Sequence, residues 1–321
     1  MSPTVPAVPA LPAIRPGRAI AGASAVLLPF TSDGAIDWVG FEAHVQRTLD
    51  AGLTVALNMD TGFGPFLDDH DRRRVLEIGR ALGRGFIGGA HVLDEGGAAF
   101  DLARYGTACA EVVEHGGTPI IFPSHGLASL DDDGLIAAHR DIGESTDEFL
   151  GFELGPMFHP AGRIFPLDVF AEILSIPQMV GLKHSSLRRD QEWARLEIRD
   201  AMRPTFRLCT GNDLAIDMVV YGSDYLLGLS TFAPEAFAAR DAAWVAGDAG
   251  RFWQINDLLQ YLGQLAFRDP VPAYRHSAAM FLAHRGLIDT DRTHPMSPTR
   301  PASDRELLAD ISDRLDRLLA G

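Results

Sequence analysis

The chain has 321 residues, is 46% hydrophobic and carries a formal net charge of −15 at neutral pH. That length suits two average domains or one large α/β barrel, and the apolar content is ample for a large core. The negative charge argues against nucleic acid or an anionic membrane as a partner, and the longest apolar run near the start, "AIAGASAVLLPF", is too short to span a bilayer and ends in a proline.

Residues 1–17 carry prolines at positions 3, 6, 9, 12 and 16. They block helix formation, and no basic residue precedes the weak apolar stretch, so an extended arm and not a signal peptide is expected. From residue 18 onward, short apolar runs alternate with amphipathic stretches. The runs are 19–28, 53–59, 85–93, 118–122, 149–154, 178–183, 206–210 and 224–230. The stretches between them are 37–51, 69–83, 98–115, 133–147, 167–175, 188–201 and 213–221. Eight strands separated by seven helices, with Gly52, Gly85, Gly116, Gly117, Pro177 and Gly222 at the joints, is βα spacing. It predicts a (β/α)8 TIM barrel over residues 18–232. An open doubly wound sheet is the rival, but no GxGxxG follows the first strand. Residues 233–321 read as a C-terminal helical extension. Cys109 and Cys209 have neither metal spacing nor a chain small enough to need a staple, which reads as reduced core thiols in a cytoplasmic protein. The eleven histidines form no HExxH pattern, so no metal or cofactor is expected.

One residue stands apart. Of the 28 basic residues, 27 are arginines and one, Lys183, is a lysine. On a solvated surface the two are nearly interchangeable, but only an amine can lose its proton and attack a carbon. Lys183 ends the sixth apolar run, where a barrel strand opens into the mouth that carries chemistry. Apolar walls there disfavour its charged form and make it nucleophilic. His184, the next residue on the strand, points to the helix layer and reads as structural.

The stretches "LLPFTSDGAIDW" onward (27–77), "VGLKHSS" (180–186), "CTGNDLAIDMVVYGSDYLLGLS" (209–230) and "PVPAYRHSAAMFLAHRGLI" (270–288) carry, in order, a resemblance to the dihydrodipicolinate synthase / N-acetylneuraminate lyase family. These are class I aldolases that form a Schiff base with pyruvate. The resemblance implies Lys183 as the imine-forming residue and a homo-oligomer, dimer or tetramer, as the assembly.

The resemblance is imperfect where the chemistry lies. The family's GTTGE loop, which binds the keto acid carboxylate, reads "MDTGFG" here (59–64). Thr61 and Gly62 still offer a hydroxyl and an amide. Asp60 would repel a substrate carboxylate unless protonated, or would bind a substrate hydroxyl, or act as a base. The family's tyrosine after strand five is missing, and Phe152, Glu153 or Met157 takes its place. Of these only Glu153 can move a proton, and burial would raise its pKa for that work. After strand four, His125 is a second candidate acid/base. Arg163 is a candidate carboxylate or phosphate clamp. Gly211, Asn212 and Asp213 fall where relatives contact substrate, although Asp213 also suits a helix N-cap.

Three readings follow. The first is a Schiff-base lyase, synthase or dehydratase acting on a 2-keto acid. The second is an imine enzyme with another carbonyl substrate. The third is an inactive barrel serving as a binding or regulatory module, against which the retention of a lone lysine argues.

Overall fold

The computed structural model describes residues 12–320. Most of the proline-rich arm, residues 1–11, lies outside them. Within the described part, the Arg15 amide donates to the Val220 carbonyl at 2.8 Å, and the Trp244 indole donates to the Arg15 carbonyl at 3.1 Å.

Eight parallel strands close into a barrel in sequence order. They are β1 (Gly22–Ala25), β2 (Thr54–Leu57), β3 (Phe86–Ala90), β4 (Gly117–Ile121), β5 (Phe149–Leu154), β6 (Met179–Ser185), β7 (Arg207–Thr210) and β8 (Asp224–Leu227). Each coincides with one of the apolar runs. Every residue of β3 and β5 is buried, as expected for barrel strands covered on both faces. The helices are α1 (Trp38–Asp50), α2 (Asp69–Ala81), α3 (Leu102–Glu114), α4 (His125–Ala128), α5 (Asp132–Glu144), α6 (Leu167–Leu174), α7 (Arg189–Met202), α8 (Pro234–Val245), α9 (Ala249–Ala266), α10 (Tyr274–His284) and α11 (Asp304–Ala320). Aspartate caps five of them: Asp37, Asp68, Asp101, Asp131 and Asp248 each accept a backbone amide of the first turn. Such a cap contributes about 1 kcal/mol.

Three differences from the sequence reading matter for the site. Strand β6 runs two residues past Lys183, pairing Ser185 with Leu154, so the lysine sits inside the strand. The expected helix at 213–221 contracts to a 3-10 segment, Ile216–Tyr221. Its leading amides are held from outside: the Asn212 side chain takes the Leu214 amide, and Gln260 of α9 takes the Ile216 amide. Gly222, at φ +116, ends the segment. Third, α8 packs on β1 and α1 and completes the helical ring, while α9, α10 and α11 pack outside it.

Inside the barrel, Ala23, Ala56, Ile120, Leu150, Phe152 and Leu226 form a compact apolar filling. It closes the floor beneath the strand ends.

Candidate active site

Strand alternation sorts the sixth strand and its neighbour into two faces. In β5, Leu150, Phe152 and Leu154 point into the barrel; in β6, Lys183 and Ser185 do. Phe152 is the register partner of Lys183, and the lysine Nζ lies 4.6 Å from the centre of its ring. Lys183 is only 4% exposed. Burial pushes its pKa below the ordinary lysine value, and the carboxylates of Asp60 and Asp213 only partly oppose the shift.

Above the lysine is a cavity of about 10 Å³, lined by Asp60, Thr61, Leu154, Phe158, Lys183, Ser185, Gly211, Asp213, Gly228 and Tyr274. That is room for about one ordered water molecule. Its walls come from the carboxyl ends of β2, β5, β6, β7 and β8, the face on which TIM barrels place their chemistry.

The loop after β2 is held by its own backbone. The Gly62 and Gly64 amides donate to the Met59 carbonyl at 3.1 and 2.9 Å, and the Phe63 amide donates to the Asp60 carbonyl at 3.1 Å. Asn58 and Phe63 both adopt the left-handed region, at φ 53 and 60; asparagine tolerates it, whereas for a bulky residue such as Phe63 it is costly. Phe63 is held there by packing: its buried ring meets Phe30 edge-on at 5.5 Å and stacks on His294 at 5.9 Å. The expectation that the Gly62 amide would grip a carboxylate is therefore corrected, because the loop itself takes that N–H.

Tyr274, the first residue of α10, reaches this loop from more than 200 positions away in sequence. Its hydroxyl donates to Asp60 Oδ2 at 2.8 Å and lies 2.8 Å from Thr61 Oγ1. Burial, reinforced by Asp60, pushes its pKa well above the usual phenol value, so it keeps its proton. Its neighbour Arg275 donates to the Asp60 carbonyl at 3.0 Å and clamps α10 onto the loop. The sequence reading missed Tyr274. Its only signal was a tyrosine at a helix start after two prolines, in the stretch "PVPAY".

Asp213 caps no helix; Ala215 precedes the 3-10 segment. Its Oδ1 instead accepts the Leu229 amide at 2.7 Å. Burial raises its pKa from 3.8 to about 7, against the nearby Lys183, while Asp60 adds to the rise. A Cβ at Gly211 would lie 2.0 Å from Ser185 Oγ and 2.7 Å from Lys183 Cε, so any larger residue there would displace the side chains of the site. Ser185 Oγ is buried beside the lysine and has no hydrogen-bond partner among the described residues.

Four expected site residues lie elsewhere. Glu153 faces the helix layer with His184. Its carboxylate accepts Nε of Arg195 at 2.7 Å and lies 2.6 Å from Nδ1 of His184, and the Phe165 amide donates to it at 2.8 Å. Burial would raise its pKa, but His184 and Arg195 outweigh burial and hold it below the usual glutamate value. This corrects the expectation of a protonated acid/base: the strand period turns Glu153 away from Lys183. Arg163 pairs with Asp132 and donates to the Leu130 carbonyl, away from the cavity. Asn212 is buried, its Oδ1 committed to the Leu214 amide. His125 opens the short helix α4, where Asp94 accepts its backbone amide at 2.7 Å, and its ring neighbours His159 rather than the lysine. Met157 is 39% exposed and does not line the cavity. Cys109 and Cys209 are buried free thiols, and no helix among the described residues is long and apolar enough to cross a membrane.

No protein-family model matches the chain. A 4-hydroxy-tetrahydrodipicolinate synthase of Kosmotoga olearia is 25% identical over 268 residues, covering 78% of this chain and 84% of that protein. A probable 5-dehydro-4-deoxyglucarate dehydratase 2 of Streptomyces avermitilis is 28% identical over 322 residues, covering 96% and 89% respectively. Among solved structures, YagE of E. coli K12, a prophage protein of the dihydrodipicolinic acid synthase family in complex with pyruvate, superposes with a TM-score of 0.79 at 15% identity, over 92% of this chain and 98% of its own.

Proposed function

We propose that this protein, which is a divergent member of the dihydrodipicolinate synthase family, is a Schiff-base lyase or synthase that binds a small carbonyl compound, a 2-keto acid such as pyruvate or a related carbonyl, through Lys183. The observation that carries this reading is the chain's lone lysine, buried at the strand ends with its charged form disfavoured by burial. Nothing in a scaffold needs an amine there, which weighs against an inactive binding barrel. Two relatives whose names describe a synthase and a dehydratase, and a neighbour solved with pyruvate, support the same reaction class.

The chemistry follows from the groups in the cavity. The neutral Nζ attacks the carbonyl carbon and gives a carbinolamine. A proton delivered to its hydroxyl lets water leave, and the nitrogen lone pair forms the C=N⁺ bond of an iminium. The iminium then draws electrons from the neighbouring carbon, so a proton or a carbon fragment can depart from it. Asp213 is the proton carrier in this reading: it lines the cavity, and a pKa of about 7 lets it give and take a proton near neutrality. Tyr274 holds Asp60 and Thr61 in place beside it.

The protein needs no nucleic acid or membrane in this reading, and it works as a homo-oligomer, which light scattering tests directly. The mechanism is tested by adding borohydride during turnover and mapping peptides. One reduced adduct on the "GLKHSS" peptide, with parallel loss of activity, is expected. A Lys183→Arg variant that stays active on the same substrate would falsify it.

A further inference from the structure

The side chains that line the cavity above Lys183 differ from what a carboxylate requires. Tyr274 keeps its proton and directs it to Asp60 Oδ2. The 2.8 Å contact between the Tyr274 and Thr61 hydroxyls must then use the threonine's proton, because a hydroxyl has only one to give. The chain runs Thr61 to Tyr274 to Asp60, and it ends on an acceptor. Both hydroxyl protons of the loop are committed within the protein.

No arginine or histidine side chain lines the cavity. The guanidinium nearest the loop, Arg275, donates to the carbonyls of Asp60 and Pro272 and lies 5.1 Å from the Phe63 ring centre and 5.4 Å from that of Phe66. Once Lys183 has become an iminium, the side-chain donors left to a ligand are Ser185 Oγ, buried and without a partner among the described residues, and the protonated form of Asp213. Against them stands the Asp60 carboxylate, with one oxygen taken by Tyr274 and the other without a partner among the described residues. A ligand carboxylate beside Asp60 meets like charge in a closed space, which costs several kcal/mol. A ligand hydroxyl donates to the same oxygen.

Resting on the imine reading above, we infer that the substrate is a short hydroxylated aldehyde or ketone. It presents a hydroxyl group, rather than a carboxylate, to Asp60 on the carbon next to the carbonyl that Lys183 captures.

Borohydride trapping at Lys183 with two probes tests this. Dihydroxyacetone carries hydroxyls and no carboxylate; pyruvate carries the reverse. Each yield is divided by that of the same probe on Nα-acetyl-lysine, which removes the probes' intrinsic reactivity. The native protein is expected to favour dihydroxyacetone by about tenfold or more, the effect of a single unfavourable charge contact. Asp60→Asn keeps the shape and an acceptor for Tyr274 while removing the charge, and Asp60→Thr frees a hydroxyl donor; both are expected to shift trapping toward pyruvate. Circular dichroism of each variant checks that the barrel is intact. Preferential trapping of pyruvate by the native protein overturns the inference and leaves the imine mechanism standing, as does a preference that neither Asp60 variant moves. Failure of both probes to label Lys183 overturns the mechanism and the inference together.

Discussion

The two faces of the β5–β6 pair each bury a cation, and they treat it in opposite ways. On the outer face, Arg195 is fully enclosed, yet its guanidinium meets Glu153 in two bonds and the Phe165 carbonyl in another, and Glu153 is shared with His184. His184 in turn reaches Ser186 at 2.7 Å. Every charge there has a partner. On the inner face, Lys183 is equally enclosed but has no hydrogen-bonded ion pair; it has an aromatic ring at 4.6 Å, and two carboxylates that act at longer range. A buried charge with full partners holds a structure together, whereas one without them is held at a cost. The unpartnered cation marks the site, because its amine is the group that can lose a proton.

The contrast breaks first on activity. Lys183→Arg keeps the charge and removes the nucleophile, and is expected to lower turnover by roughly 10⁴-fold or more in a steady-state assay with the true substrate. Glu153→Gln, one residue from the lysine's strand partner, is expected to retain Lys183 trapping, since its carboxylate lies on the other face. Loss of trapping in that folded variant would join the two faces into one site.

Asp213→Asn comes next. Removing a general acid/base typically lowers kcat by about 10²–10⁴-fold, and the limb of the pH–rate profile near 7 should vanish with it. The same group has a stability signature. Its folded pKa is raised above the ordinary 3.8, so between that value and about 7 the native state binds more protons than the unfolded chain. Stability therefore falls as pH rises through that window. The asparagine variant should match the parent near pH 4 and exceed it at pH 8, by up to about 4 kcal/mol; equal denaturant midpoints at pH 8 would remove Asp213 from this role.

On the outer face the largest effect is on folding. Arg195→Met leaves Glu153 buried without its guanidinium partner, and should cost about 3–5 kcal/mol in urea or thermal unfolding. The smallest effect has the opposite sign. Lys183→Met replaces a cation that burial disfavours with an apolar chain of similar length, and should raise stability by about 0.5–2 kcal/mol at neutral pH, as sites built for function often allow. A loss of stability on that substitution would mean that Asp60 and Asp213 pair with the amine more strongly than burial opposes it.

The sequence by itself determined the strands, because a barrel strand buried on both faces must be a short continuous apolar run, and eight such runs at βα spacing leave few other folds. It also singled out Lys183, because an amine that cannot be replaced by a guanidinium is visible in composition alone. Strand period two was enough to send His184 outward, but it was not applied to Glu153, whose apolar flanks suggested an acid with a raised pKa; His184 on the neighbouring strand and Arg195, 42 residues further on in α7, together lower it. Only the tertiary structure decided the rest of the site. Tyr274 meets Asp60 across 214 positions because the start of α10 is brought onto the loop after β2, and Asp213 gains its pKa of about 7 from enclosure by groups distant in sequence, not from any neighbour along the chain. Strand pattern and residue type are local properties, so a sequence displays them. Proton affinity and hydrogen-bond polarity depend on what surrounds a group in space, and closure of the barrel sets both.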